Sequence, residues 1–457
     1  MPNRRPETSL RNVLIVSYYF PPSGGPGVQR VLKFLRYLPE FGYRGIVLTV
    51  PESAAFPARD PSLLDEVPAE CLVFRAPLLE FYGLYKLLMR SRDSDVPVNL
   101  VVSSPRGGTR KERLLRRLRG AIFVPDGRVG WLPAGTRIGR KICRTEAVDL
   151  IFASGPPFTA HWIARRISEA SGLPLVLDFR DPWTRSPFYP SRPGFARRLD
   201  ERLERNCLLR SSRVVTVNQD IRSDFLARVP ELQASRIEVI ENGFDPQDFA
   251  GKERNPPRVW TLAHTGTVPP EPFLASFLPA LESLAREEPN LVCEMRIRMA
   301  GIVDPSIEEA LRRHPLGPAV RLEGYLSHRD SVQALLDSHL LLVFMEDEPR
   351  AKGILSGKLF EYLGSGTPIL AIVPGGETER VIRETGSGRT VAAQDRNGLV
   401  AALREALHAF RENRRPFGPQ DRVLVSSYAR REQTCRLAGV FDCALGDSRG
   451  TGMQPRV

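Results

Sequence analysis

The stretch of sequence that decides the fold is residues 12–50, NVLIVSYYFPPSGGPGVQRVLKFLRYLPEFGYRGIVLTV. Its first apolar run predicts a strand over Asn12–Ser17, and the run Gly45–Val50 predicts a second strand. Between them, Val28–Pro39 carries apolar side chains at helical spacing and ends before Phe41-Gly42. A strand, a glycine-rich turn, a helix and another strand are the repeating unit of a parallel sheet.

The same alternation continues along the chain and restarts after Ile237–Ile240. Further strands are predicted at Cys71–Phe74, Val148–Ala153, Pro174–Phe179, Arg213–Val217, Val259–His264, Glu294–Ala300, Val320–Glu323, Leu340–Phe344, Pro368–Val373 and Arg389–Val391. Helical or loop segments separate them, so the predicted fold class is α/β, with mostly parallel, doubly wound sheets covered on both faces.

Two Rossmann-like domains are therefore expected, over residues 1–240 and 258–414. The segment Phe244–Pro257, rich in proline, asparagine and charge, is interpreted as a linker. A last amphipathic helix is predicted over 423–445, and the polar tail 446–457 is expected to be disordered. Ligands bind at the carboxyl ends of the strands in such sheets. Two domains facing each other across a cleft would suit a transfer between two substrates.

Composition excludes several classes of protein. The chain has 457 residues, 42% of them apolar, which is enough for two or three domains and rules out global disorder. No apolar stretch approaches the roughly 18 residues needed to span a bilayer. The run Val13–Phe20 follows two arginines as in a signal peptide, but it lacks a cleavage site and is interpreted as the first strand.

The formal net charge of +12 favours an anionic partner, although a generally basic proteome would also explain it. No nucleic-acid-binding motif is present, so a phosphorylated substrate or an anionic membrane ranks above nucleic acid. The six cysteines form no C-x-x-C pair and none lies near a histidine at metal spacing. They are interpreted as reduced thiols of a cytoplasmic protein, with no metal site and no cofactor.

The turn after the first strand is the first candidate site. Gly24, Gly25 and Gly27 would let the backbone approach an anion, which the following helix would meet with its N-terminal amides. A dinucleotide fingerprint needs a glycine where this chain has Arg30, so a dehydrogenase is disfavoured. A merely tight strand–helix turn remains the alternative.

Two later strand ends add candidates to the same domain. Asp178, Arg180 and Asp181 follow one strand, where they could contact a ligand or form an ion-pair network supporting Trp183. His161 lies early in a helix after another strand, where it could contact substrate or could simply be a packed or capping residue.

In the second domain, Ser356 and Gly357 open a short helix whose amides could bind a phosphate. Lys358 and Glu361 are three residues apart and so lie on one face of that helix. They would offer a cation for phosphate and a carboxylate for sugar hydroxyls. An exposed salt pair is the alternative.

In their order along the chain, these motifs resemble the retaining glycosyltransferases of glycosyltransferase family 4. The resemblance covers residues 11 to about 440 and rests on Ser23–Gly27, Asp178-Phe-Arg-Asp-Pro-Trp183, Val239–Asp245, His264-Thr-Gly266-Thr267 and Lys358–Pro368. It implies the GT-B fold, a nucleotide held mainly by the C-terminal domain, an acceptor held mainly by the N-terminal domain and a last helix that crosses back onto the first domain.

The family usually carries a glutamate where this chain has Gly353, and an arginine and a lysine where Gly266 and Thr267 are followed by Val-Pro-Pro. Neutralising the donor's diphosphate would then fall to Lys358, Lys352 or Arg350. The resemblance assigns Glu361 to the nucleotide ribose or donor sugar, and Asp181 becomes the candidate base if the transfer inverts.

The resemblance implies a metal-independent hexosyltransferase that moves a sugar, with retention, from a UDP- or GDP-sugar to a glycan or polyprenyl-linked acceptor in surface polysaccharide or glycolipid synthesis. A nucleotide-sugar epimerase and a non-catalytic nucleotide-sugar-binding partner are the alternatives. The segment Arg110–Ile122 has a leucine stripe opposite four arginines, which predicts either peripheral binding to the inner face of the plasma membrane or packing on the sheet.

Overall fold

In a computed structural model the chain forms two compact units, Met1–Glu241 with Gln433–Val457, and Asn242–Glu432. The structure describes residues 10–79, 120–121, 123–186, 189, 192–288, 290–347, 353 and 355–450.

In the described part of the first unit, seven strands form one sheet in the order β3-β2-β1-β4-β5-β6-β7, and all of their pairings are parallel. The strands are β1 Arg11–Val16, β2 Tyr43–Thr49, β3 Leu72–Arg75, β4 Leu150–Gly155, β5 Leu175–Phe179, β6 Arg213–Thr216 and β7 Ile237–Val239. The α-helices are Pro26–Tyr37, Leu132–Thr145, Thr159–Ser171, Gly194–Arg210, Gln219–Arg228 and, at the end of the chain, Arg430–Gly450.

The described part of the second unit has a six-stranded sheet in the order β10-β9-β8-β11-β12-β13, again with parallel pairings. Its strands are β8 Trp260–Thr265, β9 Met295–Ala300, β10 Val320–Gly324, β11 Leu340–Phe344, β12 Ile369–Ile372 and β13 Gly388–Val391. Its helices are Leu278–Glu287, preceded by a π-helical turn at Pro272–Phe277, and Leu291–Glu294, Pro305–Arg312, His328–Leu336, Gly357–Ser365, Glu377–Glu384, Arg396–Arg411 and Arg422–Ser426. The predicted α/β fold class is confirmed.

Each sheet has a hydrophobic core on both faces, as its continuous apolar strands require. On one face of the first sheet, alternate residues of β1 such as Leu14 and Val16 pack with Trp131. On the other face, Val13 and Ile15 pack with Phe441 of the last helix.

The chain differs from its predicted organisation at three places. The predicted linker packs onto the second unit, because Phe244 is buried among that unit's apolar residues. The last helix is interrupted, since Arg422–Ser426 and Arg430–Gly450 are separate helices. That last helix also continues past 446, where disorder was expected, and Asp447 forms an ion pair with Arg213.

Candidate functional sites

Strand order reverses once in each sheet, and ligands of doubly wound sheets bind at such a switch point, outside the carboxyl ends of the strands. In the first unit the reversal lies between β1 and β4, and in the second between β8 and β11. The loops that carry the predicted site residues follow these strands or their neighbours.

The glycine-rich turn follows β1 and leads into the helix Pro26–Tyr37. Gly24 is buried and donates its amide to the Ala58 carbonyl at 2.9 Å, while Gly25 is exposed at the N-cap of the helix. At Gly27 a side chain would collide with Nη1 of Arg180 unless the arginine moved, so glycine allows this close approach. Arg180 therefore lies against the start of the helix, where it also donates to the carbonyls of Gly155 and Pro156.

Arg30 and Asp178 form a buried ion pair. Both side chains are 0% exposed, and two guanidinium–carboxylate hydrogen bonds of 2.8 and 3.0 Å join them. Arg30 also donates to the carbonyls of Ile240 and Glu241, and Ser154 donates to Asp178. Burial alone would raise the pKa of Asp178, but Arg30 and Ser154 outweigh it and the pKa is lowered. The pair thus ties the first helix to β5 and to the end of β7.

His161 is fully buried in an aromatic cluster. Its ring lies 4.4 Å from that of Phe179, and its Nε2 lies 3.1 Å from the carbonyl oxygen of Asp178. Burial lowers the pKa of His161 to about 4, so the ring is neutral at pH 7. In the same cluster, Trp183 stacks on Phe158 at 4.7 Å.

Two carboxylates that the sequence analysis did not single out organise this unit. Asp126 accepts hydrogen bonds from the amide and the hydroxyl of Thr159, so it caps the helix that carries His161. Asp200 accepts from Nε1 of Trp183 at 2.8 Å and from the hydroxyl of Tyr189 at 2.7 Å. Asp181, in contrast, is exposed.

In the second unit the loops after β8 and β9 run side by side. Gly266 donates its amide to the Ala300 carbonyl at 2.7 Å, and Gly301 lies so close to the Gly266 carbonyl that a side chain there would overlap it. Nδ1 of His264 lies 2.9 Å from the Leu342 carbonyl, and its Nε2 lies 3.3 Å from that of Thr267. Thr267 itself is exposed. This packing holds the β8 loop beside β11, the strand across the switch point.

The helix Gly357–Ser365 begins at this edge of the sheet. The Ser356 hydroxyl caps it by accepting the Lys358 amide at 3.3 Å. The stem of Lys358 crosses the β8 loop, since a Cβ on Gly266 would lie 3.6 Å from Lys358 Cε. The structure therefore brings Gly266, Gly357 and Lys358 together.

Glu361 lies one turn further along the same helix and is partly buried. Its Oε2 is buried and has no hydrogen-bond partner among the described residues. The next residue, Tyr362, is fully buried and accepts the Thr265 amide through its hydroxyl at 2.8 Å, which links the helix to the end of β8. Burial raises the pKa of Tyr362 to about 12. A buried carboxylate oxygen without a donor is unusual in proteins, and such an oxygen can accept from water or from a bound hydroxyl.

Several predicted positions lie outside the described residues: Arg350, Lys352 and nearly all of the basic segment Arg110–Ile122. In the part of the chain that is described, no group of three or more histidine, cysteine, aspartate or glutamate side chains is arranged to hold a metal ion. Nor is any described helix long and apolar enough to cross a bilayer.

The fold and its switch-point loops place the protein in a structural class, that of the GT-B glycosyltransferase fold. HepE from Anabaena, solved in complex with UDP, is 13% identical with a TM-score of 0.61, over 95% of this chain and 100% of that one. Sucrose-phosphate synthase from Thermosynechococcus elongatus is 14% identical with a TM-score of 0.54, over 96% and 98%.

A putative UDP-N-acetylglucosamine 2-epimerase from Listeria monocytogenes is 12% identical, with a TM-score of 0.55, over 96% of this chain and 98% of that one. In sequence, residues 82–248 match the model of Glycosyltransferase Family 4. No curated protein matches the sequence.

Proposed function

We propose that the protein is a glycosyltransferase that moves a sugar from a nucleotide-sugar donor to a glycan or lipid-linked acceptor. The observation that carries the proposal is the group formed by Gly266, Gly357, Lys358 and Glu361 at the switch point of the second sheet. It combines amides at a helix N-terminus, a cation and a carboxylate oxygen without a donor.

These groups suit a nucleoside diphosphate sugar. The helix N-terminus and Lys358 would hold the diphosphate, and Glu361 would accept from a hydroxyl of the ribose or donor sugar. HepE structures with UDP and with UDP-glucose support a donor of this class for a protein of this fold. The matched segment 82–248 supports a family 4-like transfer. From the family resemblance we expect the acceptor on the first unit, near Gly24, Gly25, Gly27 and Arg180.

In the proposed reaction, the bond between the sugar's anomeric carbon and the diphosphate oxygen breaks while an acceptor hydroxyl oxygen bonds to that carbon. The hydroxyl proton passes to the departing diphosphate. Charge grows on the leaving oxygen, so its stabilisation by Lys358 and the helix amides is the main catalytic requirement. Retention of configuration rests on the family resemblance, as do the hexosyl donor, the surface-glycan product and a peripheral position at the membrane.

Binding and product stereochemistry test the proposal. UDP or GDP at 100 times its dissociation constant should stabilise the protein by about 2.7 kcal/mol without added metal, and Glu361→Ala should weaken that effect. NMR of the product should then show a retained anomeric configuration. A melting curve that no nucleoside diphosphate shifts, with or without magnesium, would refute the donor site.

A nucleotide-sugar epimerase is the second candidate, favoured by the likeness to the putative epimerase from Listeria. It would convert its donor with no acceptor present, whereas a transferase would not. A non-catalytic binding partner is favoured by Gly353, which supplies no carboxylate where the family usually has one. Nucleotide binding without turnover on any acceptor pool would support that role.

A further inference from the structure

The second unit contains a cavity of about 300 Å³ that is distinct from the proposed donor site. Two of its lining residues, His339 and Pro368, directly precede β11 and β12. The cavity therefore lies at the amino ends of these strands, whereas Glu361 and Lys358 belong to the carboxyl-end loops. Its volume is at the lower end of the range for small-molecule sites, which is about 300–1,000 Å³.

One part of the cavity lining is strongly basic. Arg254, Arg414 and Arg415 all contribute to it, and no acidic side chain does. Arg414 is paired with Glu412. Arg254 and Arg415 have no carboxylate partner among the described residues and donate only to backbone carbonyls, Arg254 to Ser338 and Arg415 to Gly366, Gly418 and Ser387. The Asp337 carboxylate offsets part of the charge of Arg254, but none of the described carboxylates does so for Arg415, so the lining keeps a net positive charge.

The pKa values of Arg415 and His339 are both lowered in part by neighbouring positive charges. Burial lowers the pKa of Arg415, and the neighbouring charges of Arg254 and Arg422 lower it further. Nδ1 of His339 accepts the Thr261 amide at 3.1 Å. Burial, followed by the charge of Arg254, lowers the pKa of His339 to about 4, so the neutral ring carries its hydrogen on Nε2. His339 thus lines the cavity as a neutral ring whose Nε2 can donate a hydrogen bond.

Most of the rest of the lining is apolar, with Asn413 as its polar member. Phe410 packs edge-on against His339 with ring centroids 4.7 Å apart, and Pro256, Pro368 and Ala406 complete the wall. A doubly charged tetrahedral group suits two guanidinium groups and a neutral donor, because its oxygens can accept from several sides. The apolar wall suits a ring or short chain attached to it.

We propose that this cavity is a second anion site, which binds a small phosphate monoester carrying one apolar ring or chain. The site is independent of the proposed transferase activity, since none of its residues belongs to the donor site. Together with the proposed donor site, this cavity would give the second unit two ligand sites, one at the carboxyl ends and one at the amino ends of its strands.

Calorimetric titration of the full chain with phenyl phosphate, inorganic phosphate and benzoate tests the proposal. Phenyl phosphate should bind with a stoichiometry of one, more tightly than inorganic phosphate because of the apolar wall, and more tightly than the singly charged benzoate. Arg254→Gln should weaken its binding about ten-fold to one-hundred-fold. Arg254 is exposed and makes one backbone contact, so this variant should fold.

Two control variants distinguish this site from other anion sites. Arg404→Gln removes an exposed arginine of the same unit that pairs with Glu287 and lies outside the cavity, and it should leave binding unchanged. Lys358→Ala should also leave it unchanged, whatever its effect on nucleotide binding. Absence of saturable binding, equal affinity in Arg254→Gln and the wild type, or loss of binding in Lys358→Ala would each overturn the proposal.

Discussion

The two sheets have the same topology at their switch points but use their polar residues in opposite ways. In the first unit, Arg30 and Asp178 are bonded to each other and to backbone groups, with no exposed side-chain surface. In the second, Lys358 lies over Gly266, and Glu361 retains a buried oxygen without a donor. The first pair has thus used its hydrogen-bonding capacity within the protein, whereas Glu361 keeps an oxygen that can still accept a hydrogen bond.

The contribution of the buried Arg30–Asp178 ion pair to stability is tested by removing its carboxylate. We expect Asp178→Ala to lower the free energy of unfolding by about 3–5 kcal/mol, because Arg30 would remain buried without a counter-ion. Urea denaturation measures the change. Asp181→Ala is the matched control, since that carboxylate is exposed, and it should stay within about 0.5 kcal/mol of the wild type. Equal unfolding midpoints for the two variants would contradict a structural role for the pair.

At the switch point of the second sheet, we expect substitutions to lower activity and to leave stability nearly unchanged. Lys358→Ala and Glu361→Ala should each lower kcat/KM for transfer by the equivalent of about 1.5–3 kcal/mol, because each removes a charge-assisted contact to the donor. Their unfolding midpoints should change little. Glu384→Ala removes an exposed carboxylate paired with Arg380 and should leave transfer unchanged. Near-wild-type kinetics in both site variants would show that Lys358 and Glu361 are only an exposed salt pair and do not act on the donor.

The third prediction concerns the pH dependence of stability that arises from Asp200, another buried carboxylate of the first unit. Burial raises the pKa of Asp200 to about 6, above its value of about 3.9 in the unfolded chain. The native state therefore binds the extra proton, and its contribution to stability is complete below about pH 4 and is lost as the pH rises to about 6. The slope is at most about 1.4 kcal/mol per pH unit.

Asp200→Asn removes this titration and keeps an oxygen that can accept from Trp183. The difference in unfolding free energy between wild type and variant should therefore change between pH 4 and pH 6 and be constant above pH 7. Asp178 titrates with the opposite sign, but it does so in both proteins and cancels from the difference. A difference that is constant from pH 4 to pH 7 would show that Asp200 does not carry the raised pKa.

Two glycine-to-alanine substitutions should change the free energy of unfolding only slightly, and in opposite directions. Gly27→Ala places a methyl group against Arg180, so the arginine must move and stability should fall by up to about 1 kcal/mol. Gly439→Ala lies on the last helix with open space around it and should raise stability by about 0.4–1 kcal/mol. Thermal unfolding compares the two variants, and shifts of the same sign would contradict the close approach of Arg180.

The strands were predictable from the sequence because each is a local apolar run, from Asn12–Ser17 to Arg389–Val391. The partners of the charged residues were not, since the pairing of Arg30 with Asp178 joins residues distant in sequence and depends on the order of strands in the sheet. Asp126 gave no local signal either, because it caps a helix that begins more than thirty positions later.

The packing of the predicted linker's first residue could not be predicted for a similar reason. Composition indicated a linker over Phe244–Pro257, but Phe244 packs against Gly364 of the second unit, where any side chain would overlap it. The Lys358–Glu361 pair was predictable as a spacing on one helix. Its contact with Gly266 and the unpartnered oxygen of Glu361 depend on tertiary packing that spacing does not encode.

The first unit is built from two separate segments of the chain, and this affects how it can fold during synthesis on the ribosome. One face of its sheet is covered by Leu437 and Phe441, which follow the whole second unit in the chain. Until the second unit has emerged, that face of the nascent first unit has Phe34 and Leu35 of the helix Pro26–Tyr37 beside Val13 and Ile15, but it lacks Leu437 and Phe441. Since Phe244 and Arg430 are joined by a backbone hydrogen bond of 2.8 Å, the second unit can close before the first is complete. During synthesis the second unit can therefore complete its contacts before the first unit, one face of which stays partly open until the last helix has been made.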